Sequence, residues 1–165
     1  MAEITLKGNK IKTVGDLPSV GDFAPDFTLI KNDLSRVSLK DFAGTRLVLN
    51  IFPSLDTATC AMSVKKFNEK AASLENTKVL CISRDLPFAQ ARFCGAEGIE
   101  NVITLSDFTR GEFGKNYKLE IIEGPLAYLH SRAVIIVDEN GKVIYNQQVP
   151  EITNEPDYDA ALSVL

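Results

Sequence analysis

The run Leu47-Val48-Leu49-Asn50-Ile51-Phe52 constrains the fold of this chain more than any other segment, because only Asn50 interrupts its apolar side chains. A strand with one wet face alternates apolar and polar residues, whereas a nearly continuous apolar run needs cover on both faces, as in the central strand of a layered α/β sheet. Val79-Leu80-Cys81-Ile82-Ser83 repeats the pattern. Between the two runs, in a segment beginning at Ala61, Val64, Phe67, Ala71 and Leu74 recur at helical spacing, while Lys65, Lys66, Glu69 and Lys70 take the other face. Later, Ala133–Val137 and Val143–Gln147 flank Asp138-Glu139-Asn140-Gly141, whose Asn-Gly step predicts a hairpin and so an antiparallel pair. Strand, helix and strand followed by an antiparallel hairpin predict an α/β chain with a mixed central sheet flanked by helices.

The remaining elements are shorter. Residues 1–14 alternate apolar and polar side chains on either side of Gly8-Asn9, which predicts an N-terminal β-hairpin extension. After Pro25, Phe27 and Leu29 fall on one face of a short strand. Pro87 to Gly95 reads as a helix begun by proline and stopped by glycine, and Pro156 to Leu165 as a terminal helix with acidic residues in its first turn. With 165 residues, 45% of them hydrophobic, the chain can bury a full core, and the absence of repeats or linkers predicts a single domain over 1–165.

A net charge of −4 with no basic run longer than Lys65-Lys66 provides no footprint for nucleic acid or an anionic membrane. No stretch approaches the roughly 20 apolar residues of a membrane span, and the first residues lack a basic-then-apolar leader. A cytoplasmic protein is expected. Three cysteines, an odd number, argue against a structural disulfide framework; in a reducing compartment a disulfide is more plausibly catalytic and transient.

Among those cysteines Cys60 stands out, because it lies between the carboxyl end of a predicted buried strand and the start of a predicted helix. The crevice at the carboxyl ends of the strands is where open α/β sheets carry function, and the positive end of a helix favours thiolate over thiol. Position alone leaves two readings, a nucleophile or a small packed residue. Thr57 and Thr59 both qualify as the helix cap. Cys81, between Leu80 and Ile82, reads as a core residue, and His130 has no cysteine or carboxylate at ligand spacing, so neither a metal site nor any other role is assigned to it.

Pro53, Thr57 and Cys60 match the Pro-x-x-x-Thr-x-x-Cys motif of the peroxiredoxins, and the chain resembles that family's thiol peroxidase subgroup in two further blocks, Ser83–Gly98 and Ser131–Val134. The resemblance runs over essentially the whole chain. It implies a thioredoxin-like fold and a peroxidase without metal, haem or flavin. Cys60 would be the peroxidatic cysteine and Cys94 the resolving one, joined as an intramolecular disulfide after Cys60 is oxidised to a sulfenic acid. Pro53 would shield the thiolate, Thr57 would hydrogen-bond sulfur and peroxide, and Arg132 would be the charge partner. Hydrogen peroxide and organic hydroperoxides are the implied substrates, thioredoxin the implied reductant and a homodimer the implied assembly. A general disulfide oxidoreductase is disfavoured, since Thr57 stands where Cys-x-x-Cys needs its first thiol. A redox sensor or binding protein using the same thiols is the alternative, and it would stop after one turnover.

Overall fold

In the computed structural model, which describes residues 1–165, the strands are β1 (Glu3–Leu6), β2 (Asn9–Lys12), β3 (Thr28–Ile30), β4 (Arg36–Ser38), β5 (Arg46–Ile51), β6 (Thr77–Ser83), β7 (Ile103–Ser106), β8 (Ala133–Val137) and β9 (Val143–Gln148). The helices are α1 (Ala58–Ala71), α2 (Pro87–Glu97), α3 (Glu112–Asn116) and α4 (Tyr158–Leu162). Strands β3 to β9 form one sheet in the order β4-β3-β7-β6-β5-β8-β9, and β1 and β2 form a separate two-stranded sheet. The sheet is mixed: β5, β6 and β7 run parallel, and β8 is antiparallel to β5.

The apolar run thus becomes an inner strand, and its side chains divide by period two. Leu47, Leu49 and Ile51 join Phe27, Phe113 and Tyr117 on one face, whereas Val48 joins Cys60, Val64, Phe67, Cys81 and Ala161 on the other. Asn50 also points to the second face, where its Nδ2 donates to Ser63 Oγ (3.2 Å) and lies 3.6 Å from Cys81 Sγ. Parallel connections in one sheet are right-handed, so α1 and α2, which link β5 to β6 and β6 to β7, cover the same face. Phe67 of α1 is fully buried and meets the Tyr158 ring of α4 edge-on, with centroids 5.1 Å apart. Phe67→Ala is therefore expected to lower the unfolding free energy by about 3–5 kcal/mol, read by urea denaturation.

Several boundaries differ from expectation, each for a local reason. The hairpin turn is Lys7-Gly8, not Gly8-Asn9: Leu6 pairs with Asn9, and Lys7 (φ 50°) and Gly8 (φ 82°) both take left-handed conformations. Helix α1 starts at Ala58, three residues early, because its apolar stripe becomes visible only at the first buried residue, Cys60. Gly95 lies inside α2; the helix stops at Gly98, whose φ of 65° suits glycine. Cys94 consequently sits in the last turn rather than at the helix end. Helix α4 is confined to Tyr158–Leu162, with Asp157 accepting from the Ala160 amide. The β8–β9 hairpin forms, but its Asn-Gly step lies within a longer loop held by Asp138, whose carboxylate accepts from the Asn140 and Lys142 amides. Strands β4 and β7 and helix α3 had no expectation attached to them.

Candidate active site

Past β5 the chain crosses through Phe52 and Pro53 into a loop clasped by Asp85. One carboxylate oxygen accepts from Leu55 N (2.8 Å) and Ser83 Oγ (2.7 Å), the other from Ser54 Oγ (2.7 Å). The Asp85 carbonyl in turn accepts from Ser106 Oγ. One acidic residue thereby ties the loop ahead of α1 to the carboxyl ends of β6 and β7. Thr57 follows with extended backbone (φ −97°, ψ 146°) in the capping position, yet its side chain caps nothing. Its hydroxyl donates to the Ser54 carbonyl at 3.0 Å, which leaves oxygen lone pairs as the side chain's remaining hydrogen-bonding capacity. The first bond of the helix runs from Ala61 N to Thr57 O, so the amides of Ala58, Thr59 and Cys60 precede the ladder at the positive helix end.

Cys60 occupies the third position of α1 and is completely buried. Arg132, immediately before β8 and only 2% exposed, places Nη2 3.2 Å from its sulfur. The Arg132 Nε donates to the Ile152 carbonyl at 2.8 Å, and its Nη1 is buried with no protein partner. No carboxylate pairs with this guanidinium. A buried cation needs an opposite charge or hydrogen-bond acceptors, and the sulfur it touches can supply the charge as a thiolate. The structure thus brings Arg132 to Cys60 from 72 positions away.

Pro53, Thr57 and Arg132 share a cavity of about 710 Å³. Cys60 is not among its lining residues; Ala58 and Thr59 of the first turn of α1 line it, and Arg132 touches both sulfur and cavity. Leu6, Lys7 and Asn9 of the hairpin, Pro125, Leu126, Ile152 and Thr153 complete the walls.

Cys94 packs half-buried against the same core cluster as Cys60, and all three cysteines are free. Its sulfur lies 3.7 Å from Thr104 Oγ1, which in turn lies 2.8 Å from Asn32 Oδ1. Burial pushes the Cys94 thiol up, with Thr104 and Asn32 acting in the opposite direction. Cys81, wholly buried, is pushed up to about 12, chiefly by desolvation, and stays a core residue. His130 has a carboxylate partner that spacing could not reveal, Asp107, whose Oδ2 lies 2.9 Å from His130 Nε2.

Sequence reasoning missed the clasp by Asp85, the Ile152 carbonyl and the hairpin tip. Asp85 reads as an ordinary charged loop residue between Arg84 and Leu86, and a backbone carbonyl leaves no trace in side-chain chemistry.

The sequence profile of the Redoxin family matches residues 19–162. The thiol peroxidase of Corynebacterium glutamicum is 59% identical over 165 residues, which cover 100% of this chain and 99% of that one. A crystal structure of a peroxiredoxin-like protein from Aquifex aeolicus superposes with a TM-score of 0.93 at 42% identity, over 98% of this chain and 94% of the other. The thiol peroxidase from Chromobacterium violaceum, 24% identical, shares the fold with a TM-score of 0.90 over 98% of this chain and 94% of its own. The mixed seven-stranded sheet with its N-terminal hairpin is accordingly the thioredoxin-like arrangement of these proteins. Matched by the family profile over most of its length and by a thiol peroxidase over all of it, the chain belongs to the redoxin family, in its thiol peroxidase branch.

Proposed function

We propose that the protein, acting as one domain over its 165 residues, reduces hydrogen peroxide and organic hydroperoxides at Cys60, resolves the product onto Cys94, and is recycled by a thioredoxin. The observation that carries this reading is the buried Arg132 guanidinium, which donates to Cys60 Sγ and has no carboxylate partner. The Cys60 thiolate attacks the terminal oxygen of the hydroperoxide, an S–O bond forms as the O–O bond breaks, and that oxygen keeps its hydrogen as Cys60–SOH. The departing alkoxide or hydroxide takes a proton to become alcohol or water. Arg132 Nη1 and the helix-start amides are donors for the negative charge that grows on that oxygen. Thr57, its own proton committed to Ser54, accepts from the peroxide O–H and orients it.

Cys94 then attacks the sulfenic sulfur, releasing water and forming the Cys60–Cys94 disulfide. That bond needs Cα atoms within about 7 Å; where the reduced fold holds them farther apart, the first turn after Cys60 or the helix carrying Cys94 opens locally before the bond forms. Chain-entropy bookkeeping for a loop of this size yields about 3–4 kcal/mol, enough to offset disordering a turn or two. Two glycines, Gly95 and Gly98, follow Cys94 closely and ease the change in backbone. Peptide mapping under non-reducing conditions after peroxide treatment is expected to show Cys60 linked to Cys94, and Cys94→Ser to halt at a sulfenic acid on Cys60. A main link through Cys81 would overturn the assignment.

A homodimer is part of the proposal. Arg84 donates to the carbonyls of Asp107 and Tyr128, and the exposed Tyr128, Phe108, Leu86 and Phe88, each at or within four positions of one of these three residues, are apolar side chains suited to a second copy. No helix is long and apolar enough to cross a membrane. We place the protein in the cytoplasm, where its thiols persist in the reduced form.

A further inference from the structure

The hairpin β1–β2 stands outside the seven-stranded sheet, yet three of its residues wall the cavity beside Cys60. Two segments hold it there: Ile122 N donates to Lys12 O (2.9 Å) behind β2, where Ile4 and Ile11 pack on Ile121 and Ile152, and residues 150–153 hold the turn end that faces the cavity. Thr5 N donates to Pro150 O (2.8 Å) and Ile152 N to Thr5 O (2.9 Å), a single parallel bridge. Between them, the Glu151 carboxylate accepts from Gly8 N (2.9 Å), Lys7 N (3.2 Å) and Thr5 Oγ1 (3.0 Å), and from Thr153 through its amide (3.0 Å) and hydroxyl (2.9 Å). Two successive left-handed residues turn their amides to one side, which makes the Lys7-Gly8 turn a nest for an anion. The next two residues face the reacting centre: Ile152 O accepts from Arg132, and Thr153 O accepts from Thr59 Oγ1 in the first turn of α1 (2.9 Å).

The cavity is far larger than hydrogen peroxide requires. At about 710 Å³ it falls in the range of sites for small organic molecules, whereas a species of a few atoms needs on the order of 30–40 Å³. We propose that Glu151 is a positioning residue for hydroperoxides that carry an organic group: by seating the Lys7-Gly8 turn it fixes Leu6 as an apolar wall of the cavity. Hydrogen peroxide engages only the side formed by Pro53, Thr57 and Arg132. This inference rests on the reading that hydroperoxides react at Cys60. The donors around Glu151, the Thr153 and Gly8 amides foremost, hold its carboxyl at about 2, below its ordinary 4.5. The clamp is therefore intact above about pH 5 and is lost only as pH falls through that range.

The test compares wild type, Glu151→Ala, Glu151→Gln and Leu6→Ala in steady-state assays with cumene hydroperoxide and with hydrogen peroxide. Loss of the apolar wall is expected to raise KM for cumene hydroperoxide about tenfold in Glu151→Ala and Leu6→Ala, with kcat within about twofold and the KM for hydrogen peroxide within about threefold. Glu151→Gln, which keeps an acceptor for one turn amide, is expected to recover part of the loss. Amide hydrogen exchange at Lys7 and Gly8 should quicken in Glu151→Ala and stay slow in Leu6→Ala. Equal KM changes for the two peroxides, or none, would overturn the proposal while leaving Cys60 as the reacting group. Wild-type protein whose Cys60 is oxidised by neither peroxide would remove the underlying reading and this one with it.

Discussion

Cys60→Ser is expected to abolish peroxide turnover, with the thioredoxin-coupled rate falling on the order of 10⁴-fold or more, the scale at which loss of a nucleophile is felt. The argument is chemical before it is structural. A serine hydroxyl has no accessible anion near neutral pH and its oxygen cannot climb the oxidation ladder that begins with a sulfenic acid. Serine keeps the shape of cysteine with a smaller terminal atom, and α1 is anchored by Val64 and Phe67, both fully buried, so the substitution leaves the helix in place. Circular dichroism and the unfolding midpoint should stay near wild type while turnover disappears. The remaining thiols cannot substitute: Cys81 is sealed in the core with its thiol held up at about 12, and Cys94 is also pushed up by burial, with no cation bonded to its sulfur. Substantial turnover in Cys60→Ser, measured as repeated consumption of peroxide in excess over enzyme, would remove Cys60 from the mechanism.

The second large effect is expected at Arg132. Arg132→Met removes the donor on Cys60 Sγ and the free Nη1 donor together, and oxidation of Cys60 should slow by about 10²–10³-fold, or 2.7–4 kcal/mol of barrier, the typical value of an oxyanion donor. Stability separates this from a structural role. An arginine that served the fold through a buried ion pair would cost about 3–5 kcal/mol to remove, but Arg132 has no carboxylate partner, and a buried cation replaced by an apolar side chain of similar volume is often neutral or stabilising. Arg132→Met should therefore unfold within about 1–2 kcal/mol of wild type, the residual loss reflecting the unpaired Ile152 carbonyl. Arg132→Lys should recover little, since one ammonium lacks the fork that reaches Ile152 O and the sulfur at once. Stopped-flow measurement of Cys60 oxidation beside urea unfolding distinguishes the two roles: a normal oxidation rate in a destabilised Arg132→Met would make Arg132 a scaffold residue.

The central layer was legible because burial on both faces leaves a direct mark on residue choice. Leu47–Ile51 and Val79–Ser83 lie in β5 and β6, and Val64 with Phe67 became the buried stripe of α1. Strand β4, of three residues, and helix α3, of five, are too short for a period to register, and their positions depend on partners distant in the chain. Element ends were misjudged where conformation rather than polarity decides them. Gly95 and Gly98 look alike on paper, but only Gly98 takes the left-handed turn that stops α2.

For the site, Pro53, Thr57 and Cys60 lie within eight positions, and their residue types and spacing already carried the motif. Cys94 and Arg132 were assigned by resemblance, since no local pattern ties either to Cys60. The packing of β5 against β8 brought Arg132 to the sulfur, because antiparallel pairing sets Ile51 opposite Ala133 and so leaves the preceding residue at the same sheet edge as the start of α1. The Asp85 clasp, the Ile152 carbonyl and the hairpin held by Glu151 were decided by the tertiary structure alone. Residue type and order carry local conformation and the sides of an element that must be dry. Which distant cation meets the sulfur, and which turn walls its cavity, depends on contacts across more than seventy positions, where geometry is set by the packed whole.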